Sequence, residues 1–157
     1  MDFLAHYHPQ VVHFPIAFFL VYALLEIIGT IFKKDYFSTT AHLFLFLGVL
    51  GAIAAVLTGN AAESTAIELL KKGVPLPKEA IGNHEDFATF TLWYFTGLLV
   101  LRTMFVLKKK FTGKIKYIFI ILALAGSLLV YKTGELGGKL VYKYGAGTDL
   151  IKTEIKK

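Results

Sequence analysis

The chain has 157 residues, of which 55% are hydrophobic, and a mean hydropathy of +0.61. Soluble domains are less apolar, so the composition indicates an integral membrane protein. The absence of cysteine excludes thiolate metal sites, iron–sulfur clusters, disulfides and covalently attached c-type haem. The net charge of +6 comes largely from lysines beside the apolar stretches, which indicates contact with lipid headgroups and no nucleic-acid partner.

Four apolar stretches fill most of the chain, at residues 11–32, 40–58, 87–107 and 115–131. Each approaches or exceeds the roughly 20 residues with which a helix crosses a bilayer. We therefore predict an all-α fold, an integral membrane four-helix up-down bundle that forms a single transmembrane domain over residues 1–157. Residues 61–72 are predicted to be a short interfacial helix, and five glycines within residues 134–147 predict an irregular Gly-rich C-terminal tail. No internal repeat is evident.

The orientation is predicted from the lysines and arginines beside the apolar stretches. The first eight residues contain neither, whereas Lys33 and Lys34 directly follow the first stretch and several lysines share the short loop 108–116. We therefore predict a multi-pass protein of the cell (inner) membrane with both termini outside. The ends of the bundle that carry His8, His13 and His84 would then face outward.

The histidines are the strongest candidates for chemistry. His13 is predicted to lie about one turn inside the first helix and His84 at the start of the third, at a similar depth. Facing histidines from different helices are how four-helix cytochromes hold haem iron. His8 is an alternative ligand, and small residues along the second helix, ending at Gly59, would leave room for a flat cofactor. His42 is predicted to lie at the opposite end of the bundle, outside the site.

Two other interpretations stay open for this histidine cluster. His8, His13 and His84, together with Glu63 or Glu135, would suit Zn²⁺ or Cu²⁺. Alternatively, the histidines are interfacial side chains of a cofactor-free subunit that packs against a larger membrane complex. A visible absorption spectrum separates the haem hypothesis from both, and elemental analysis separates the other two.

Glu26 and Arg102 are the charged residues inside apolar stretches. Each lies about 15 residues from the same end of the bundle, which corresponds to a depth of roughly 22 Å at 1.5 Å per residue. Ionisable residues at such depth usually pair with each other or line a pathway. We predict a structural ion pair between Glu26 and Arg102.

Several motifs resemble one family, the small membrane proteins catalogued as domain of unknown function 2231. They are His8-Pro9-x-x-Val12-His13-Phe14-Pro15-Ile16-Ala17, Thr58-Gly59, His84, Arg102 and Leu136-Gly137-Gly138-x-Leu140-Val141-Tyr142-x-x-Gly145.

The resemblance implies a four-helix membrane protein and adds Tyr142 to the candidate cofactor-binding residues. Some family members are fused to or encoded beside redox domains, which implies a protein similar to b-type cytochromes. Asn60 follows Gly59 here, where the family usually has an acid. We accordingly predict a haem b protein or subunit that passes electrons to or from a redox partner or larger membrane complex, rather than a stand-alone enzyme.

Overall fold

The structure is a computed structural model that describes residues 2–74 and 76–147. Met1, Pro75 and residues 148–157 of the predicted domain lie outside the described residues. Five helices follow one another along the described part of the chain: α1 (Asp2–Val11), α2 (His13–Ile31), α3 (Asp35–Lys71), α4 (Lys78–Leu107) and α5 (Lys114–Tyr142).

Four helical segments are long and apolar enough to cross a membrane: Phe3–Ile31, Asp35–Lys71, Lys78–Leu107 and Lys114–Tyr142. Only 22–28% of the residues in their most apolar windows are buried in the bundle. Large apolar side chains such as Phe14, Leu57 and Trp93 instead point outward, as they do on a lipid-facing surface. The predicted all-α membrane bundle is confirmed, and the chain is a multi-pass membrane protein.

Helices α2, α3, α4 and α5 pack in a square arrangement. α2 and α4 each pack against both α3 and α5, whereas no close backbone contact joins α2 to α4 among the described residues. Successive helices run in opposite directions, so both the α2–α3 turn and the α4–α5 turn lie at one end. We name it the basic end, because Lys33, Lys34 and the lysines of residues 108–116 lie there. The opposite end, with His8 and His84, is the histidine end.

Two of the predicted details at the histidine end are wrong. Residues 61–72 do not form a separate interfacial helix, because α3 continues unbroken to Lys71. Its extension holds no proline, and it is covered by α1, which packs along α3 and helps to bury Ala61. The first residues of the described chain are helical as well, and Pro9 lies near the end of α1.

The Gly-rich tail is likewise wrong over most of its length. α5 continues through three of the five glycines to Tyr142, and only Gly145 and Gly147 follow it. On the exposed side of this extension, Glu135 bonds to both Lys132 and Lys139, and such pairs one turn apart support a helix.

The bundle consists of two helical hairpins that repeat each other, α1–α3 and α4–α5. Lys33 and Lys109 lie 76 positions apart, as Glu26 and Arg102 do, and both have a φ of 54°. The residue that follows each of them donates a backbone hydrogen bond five residues back, from Lys34 to Gly29 and from Lys110 to Phe105. The same left-handed turn thus ends the first helix of each hairpin.

The offset of 76 extends over the whole first half of each hairpin. It relates Asp2–Val11 and His13–Ile31 together to the unbroken helix Lys78–Leu107. In the helices that follow, Gly48 corresponds to Gly126 and Gly59 to Gly137, and the offset rises to 78 because two residues are inserted around the second turn. The bundle is therefore two similar hairpins around an approximate two-fold axis along the membrane normal, a parallel repeat.

Two stacked phenylalanines form the centre of the bundle. Phe19 of α2 and Phe95 of α4 have their ring centroids 3.6 Å apart and their planes within 6° of parallel. Each ring lies over a glycine of the neighbouring helix, Phe19 over Gly48 and Phe95 over Gly126. The space predicted for a flat cofactor beside Gly48 is thus filled by an aromatic side chain.

Candidate functional site

The histidine end brings together His8 of α1 and His84 of α4. Their ring centroids are 6.5 Å apart, and the ring planes are inclined by 68°. The two residues lie 76 positions apart and are counterparts in the repeat. Two imidazoles from different helices therefore face each other across the approximate two-fold axis.

Each imidazole packs against a glycine of the adjacent long helix. A Cβ atom built on Gly59 would lie 3.1 Å from His8 Cε1, and one built on Gly137 would lie 3.0 Å from His84 Cε1. These glycines are counterparts in the repeat as well, so the same packing contact positions both imidazole rings. A Cβ atom at either glycine would require the imidazole to shift by a few tenths of an ångström.

The hydrogen bonds around His8 define its tautomer. Thr58 Oγ1 donates to backbone carbonyl oxygens one turn earlier in α3, at 3.0 Å. The same hydroxyl lies 3.0 Å from His8 Nδ1, and because its own proton is in use it accepts a hydrogen bond from this nitrogen. His8 Nε2 is then the unprotonated nitrogen, which is the form that binds metals.

His84 offers a buried nitrogen. Its Nδ1 is buried and makes no short hydrogen bond within the part of the chain that the structure describes, although the imidazole interacts with the backbone of Thr133. The imidazole of His8 interacts with the backbone of Ala55, the counterpart of Thr133 in the repeat. The histidine pair thus presents one available nitrogen on His8, whereas the imidazole of His84 is oriented by α5.

The other predicted site residues lie elsewhere. His13 is exposed, and Tyr142 is 92% exposed. Glu63 interacts with Glu85, while Glu135 is occupied by Lys132 and Lys139. No group of three or more His, Cys, Asp or Glu residues that could hold a metal ion is present among residues 2–74 and 76–147. The structure therefore pairs His84 with His8 instead of His13, and does not assemble three imidazoles.

His42 lies in α3 towards the basic end, away from the histidine pair. Its Nε2 is 3.5 Å from the hydroxyl of Thr103 in α4. The sequence analysis also separated His42 from the other histidines.

The predicted ion pair is present towards the basic end of the bundle. Arg102 donates from two nitrogens to Glu26 Oε2, at 2.8 and 3.1 Å, and both side chains are at most 1% exposed. Arg102 also donates to the carbonyl and hydroxyl oxygens of Ser38, at 2.8 and 3.0 Å, and lies 4.3 Å from the centre of the Phe111 ring. The sequence analysis did not identify Ser38 or Phe111 as partners.

A comparison with known families matches nearly the whole chain. Residues 6–150 fit the family described as a predicted membrane protein, DUF2231. The chain belongs to the DUF2231 family. Neither a curated protein nor a solved structure matches it. The DUF2231 description specifies a membrane protein and no activity, so the chemistry has to be argued from the site itself.

Thr58 and Gly137 are the residues of this DUF2231 site that sequence reasoning missed as contacts. Both residues occur in the sequence motifs on which the family resemblance rests. A signal for Gly137 existed in the chain itself, because the offset that relates Gly48 to Gly126 also relates Gly59 to Gly137.

Proposed function

We propose that this chain is a membrane-bound haem b protein, or the haem-binding subunit of a larger membrane complex, which passes electrons to or from a redox partner at the histidine end. His8 and His84 would hold the haem iron, and His13 would lie outside the ligand set. The observation that carries the proposal is the facing pair of imidazoles from two different helices.

The separation of the rings fits a shared metal centre. Nitrogen–metal bonds of imidazoles are about 2.0–2.1 Å long, so two rings that bind one ion from opposite sides have centroids roughly 6–6.5 Å apart. The observed 6.5 Å lies in this range. The free Nε2 of His8, with Nδ1 held by Thr58, further supports a ligand role, because metal-binding histidines usually donate their other ring nitrogen to a neighbouring group.

The number of ligands favours haem over a bare ion. Structural zinc takes four protein ligands and catalytic zinc three, whereas no third candidate joins the pair among the described residues. In a haem protein the porphyrin supplies the four remaining nitrogens, so two histidines complete the set. When bound, haem supplies the one-electron chemistry. The chain's own contribution is to hold the two imidazoles and to place them in an apolar bundle.

The test is a visible spectrum of protein purified from haem-sufficient cells. We expect a low-spin haem b spectrum with a Soret band that shifts on reduction. His8→Ala and His84→Ala should each leave the iron one ligand short, so that the spectrum becomes high-spin or disappears. His13→Ala and His42→Ala are matched controls and should leave it unchanged.

Three outcomes would contradict this assignment. Loss of the spectrum in His13→Ala but not in His8→Ala would restore His13 as the ligand. Protein with no Soret band but with stoichiometric zinc or copper would favour a metal-handling role for the same pair. Protein with neither would favour a cofactor-free packing subunit.

The proposed orientation has its own test. The chain contains no cysteine, so single cysteines report their position without a background. In intact cells a membrane-impermeant maleimide should label Lys72→Cys, at the histidine end, and should label Lys109→Cys, at the basic end, only after permeabilisation. The reverse pattern would place both termini in the cytoplasm and the histidine pair on the inner side.

A further inference from the structure

A row of unsatisfied polar atoms lies along the buried face of α2. The hydroxyl of Tyr22, the Oε1 atom of Glu26 and the hydroxyl of Thr30 are buried and have no hydrogen-bond partner among the described residues. The three side chains are at most 5% exposed. They are spaced four residues apart and therefore share one face of the helix.

The same region contains a fourth such atom. Nδ1 of His42, in the neighbouring helix α3, is also buried without a partner in the described chain. Arg102 acts electrostatically on both Tyr22 and His42, and its guanidinium also interacts with the Tyr22 hydroxyl. His42 Nε2 lies 3.5 Å from the hydroxyl of Thr103, the residue that follows Arg102. Three of the four atoms thus lie on one face of α2 and the fourth on α3, apart from the histidine pair.

Four of the five buried polar atoms without a partner in the described part of the chain belong to Glu26 or to residues near the Glu26–Arg102 pair. A buried polar atom without a partner is unfavourable, and a charged one is more so. Native proteins contain only a few per 100 residues, and these usually mark water or a ligand. Both hydroxyls can donate or accept, the carboxylate oxygen only accepts, and a water molecule offers both functions.

We propose that Tyr22, Glu26, Thr30 and His42 form an internal water-binding site beside the Glu26–Arg102 ion pair. Its ligands are water molecules that accept from and donate to these four groups. A typical buried water makes about three hydrogen bonds to groups that would otherwise be unsatisfied, so one or two molecules suffice for four atoms. A hydrated carboxylate within a membrane bundle is the kind of group from which proton relays are built.

The direct test is X-ray hydroxyl-radical footprinting of the intact protein in detergent, read by mass spectrometry. Radicals form from water in place, so a buried side chain next to bound water is oxidised. Tyr22, with 0% exposure, should be oxidised several-fold faster than Phe95, which is equally buried and lies nearer the histidine end. Tyr36, 74% exposed, serves as the positive control. Oxidation of Tyr22 no faster than that of Phe95 would overturn the proposal.

A second measurement, of thermal stability, distinguishes a hydroxyl that is hydrogen-bonded to water from one that has no partner. Removing a hydroxyl that bonds water lowers stability, whereas removing an unsatisfied one is neutral or stabilising. Tyr22→Phe should therefore lower the melting temperature about as much as Tyr94→Phe, which removes a 2.7 Å hydrogen bond to the Leu122 carbonyl. Because the Tyr22 hydroxyl also interacts with Arg102, a fall in this variant can come from that contact as well, and the deciding variant is Thr30→Val. Tyr36→Phe, which removes an exposed hydroxyl, is the control in which we expect no change in the melting temperature. A Tyr22→Phe melting temperature equal to or above that of the wild type would contradict bound water.

Thr30→Val extends the second measurement to another member of the site. It replaces the hydroxyl with a methyl group of similar size and leaves Tyr22 intact. Its melting temperature should fall as well if the hydroxyl bonds water, by about 2–4 °C per kcal/mol lost. A rise in the melting temperature would instead indicate a dry, unsatisfied Thr30.

Discussion

Arg102→Gln should cause the largest loss of stability of any single polar substitution in the bundle. It leaves Glu26 buried without its partner and also removes the two hydrogen bonds to Ser38. Breaking a buried ion pair costs about 3–5 kcal/mol in soluble proteins. We expect a value towards the lower end, because groups within a membrane find substitute partners more readily. Thermal or denaturant unfolding in detergent measures the change.

Glu26→Gln completes a double-mutant cycle with Arg102→Gln. The glutamine keeps the shape of the side chain and one acceptor, so the single variant should be less damaging than Arg102→Gln. The double variant should be more stable than the sum of both losses predicts, because neither charge is left alone. If each single variant unfolds like the wild type, the pair does not contribute to stability.

Gly48→Ala and Gly126→Ala should each destabilise the bundle by about 1–3 kcal/mol through overpacking. The new Cβ would lie 2.4 Å from the Phe19 ring in the first variant and 2.5 Å from the Phe95 ring in the second. Neither ring has space to withdraw, since the two are stacked on each other between the glycines. Unfolding in detergent would show the change.

Two other helical glycines are matched controls. A Cβ on Gly97 or Gly134 would meet nothing within 4 Å. Alanine has a higher helix propensity than glycine, so Gly97→Ala and Gly134→Ala should leave stability unchanged or raise it by up to about 1 kcal/mol. Equal losses at all four positions would show that the close contacts of Gly48 and Gly126 do not determine their effect.

The membrane-spanning helices were predictable from run length because the bilayer requires about 20 apolar residues. Their ends were not. α3 was predicted to stop near residue 58 and continues to Lys71, since hydropathy detects contact with lipid and not helicity. Beyond the apolar run, polar residues continue the helix where α1 covers it. The same reason explains the misjudged glycines of α5, which look like a loop until the imidazole that contacts Gly137 is known.

The ion pair and the histidine pair show what can be predicted from a residue's depth along its helix. Glu26 and Arg102 were paired correctly because the rise per residue is constant along a helix and both charges need a partner. The histidines were not, because the third membrane helix was predicted to begin near residue 87, whereas α4 begins at Lys78. His84 is therefore level with His8, its partner, and His13 lies five residues, about 7.5 Å, further along and is exposed. The repeat escaped notice because its counterparts include opposite charges, Glu26 and Arg102.

The repeat also provides an internal comparison of one helix with and without proline. Where α1 and α2 have Pro9 and Pro15, their counterparts in α4 are Glu85 and Thr91. α1 and α2 meet at Val12, which keeps helical backbone angles, whereas α4 is continuous through the corresponding residue Ala88. Each proline removes one backbone hydrogen bond. The helical segment that carries His8 is therefore held by two fewer backbone hydrogen bonds than the one that carries His84. The two imidazoles are alike in chemistry, and we expect the helix of His8 to yield first when one moves against the other.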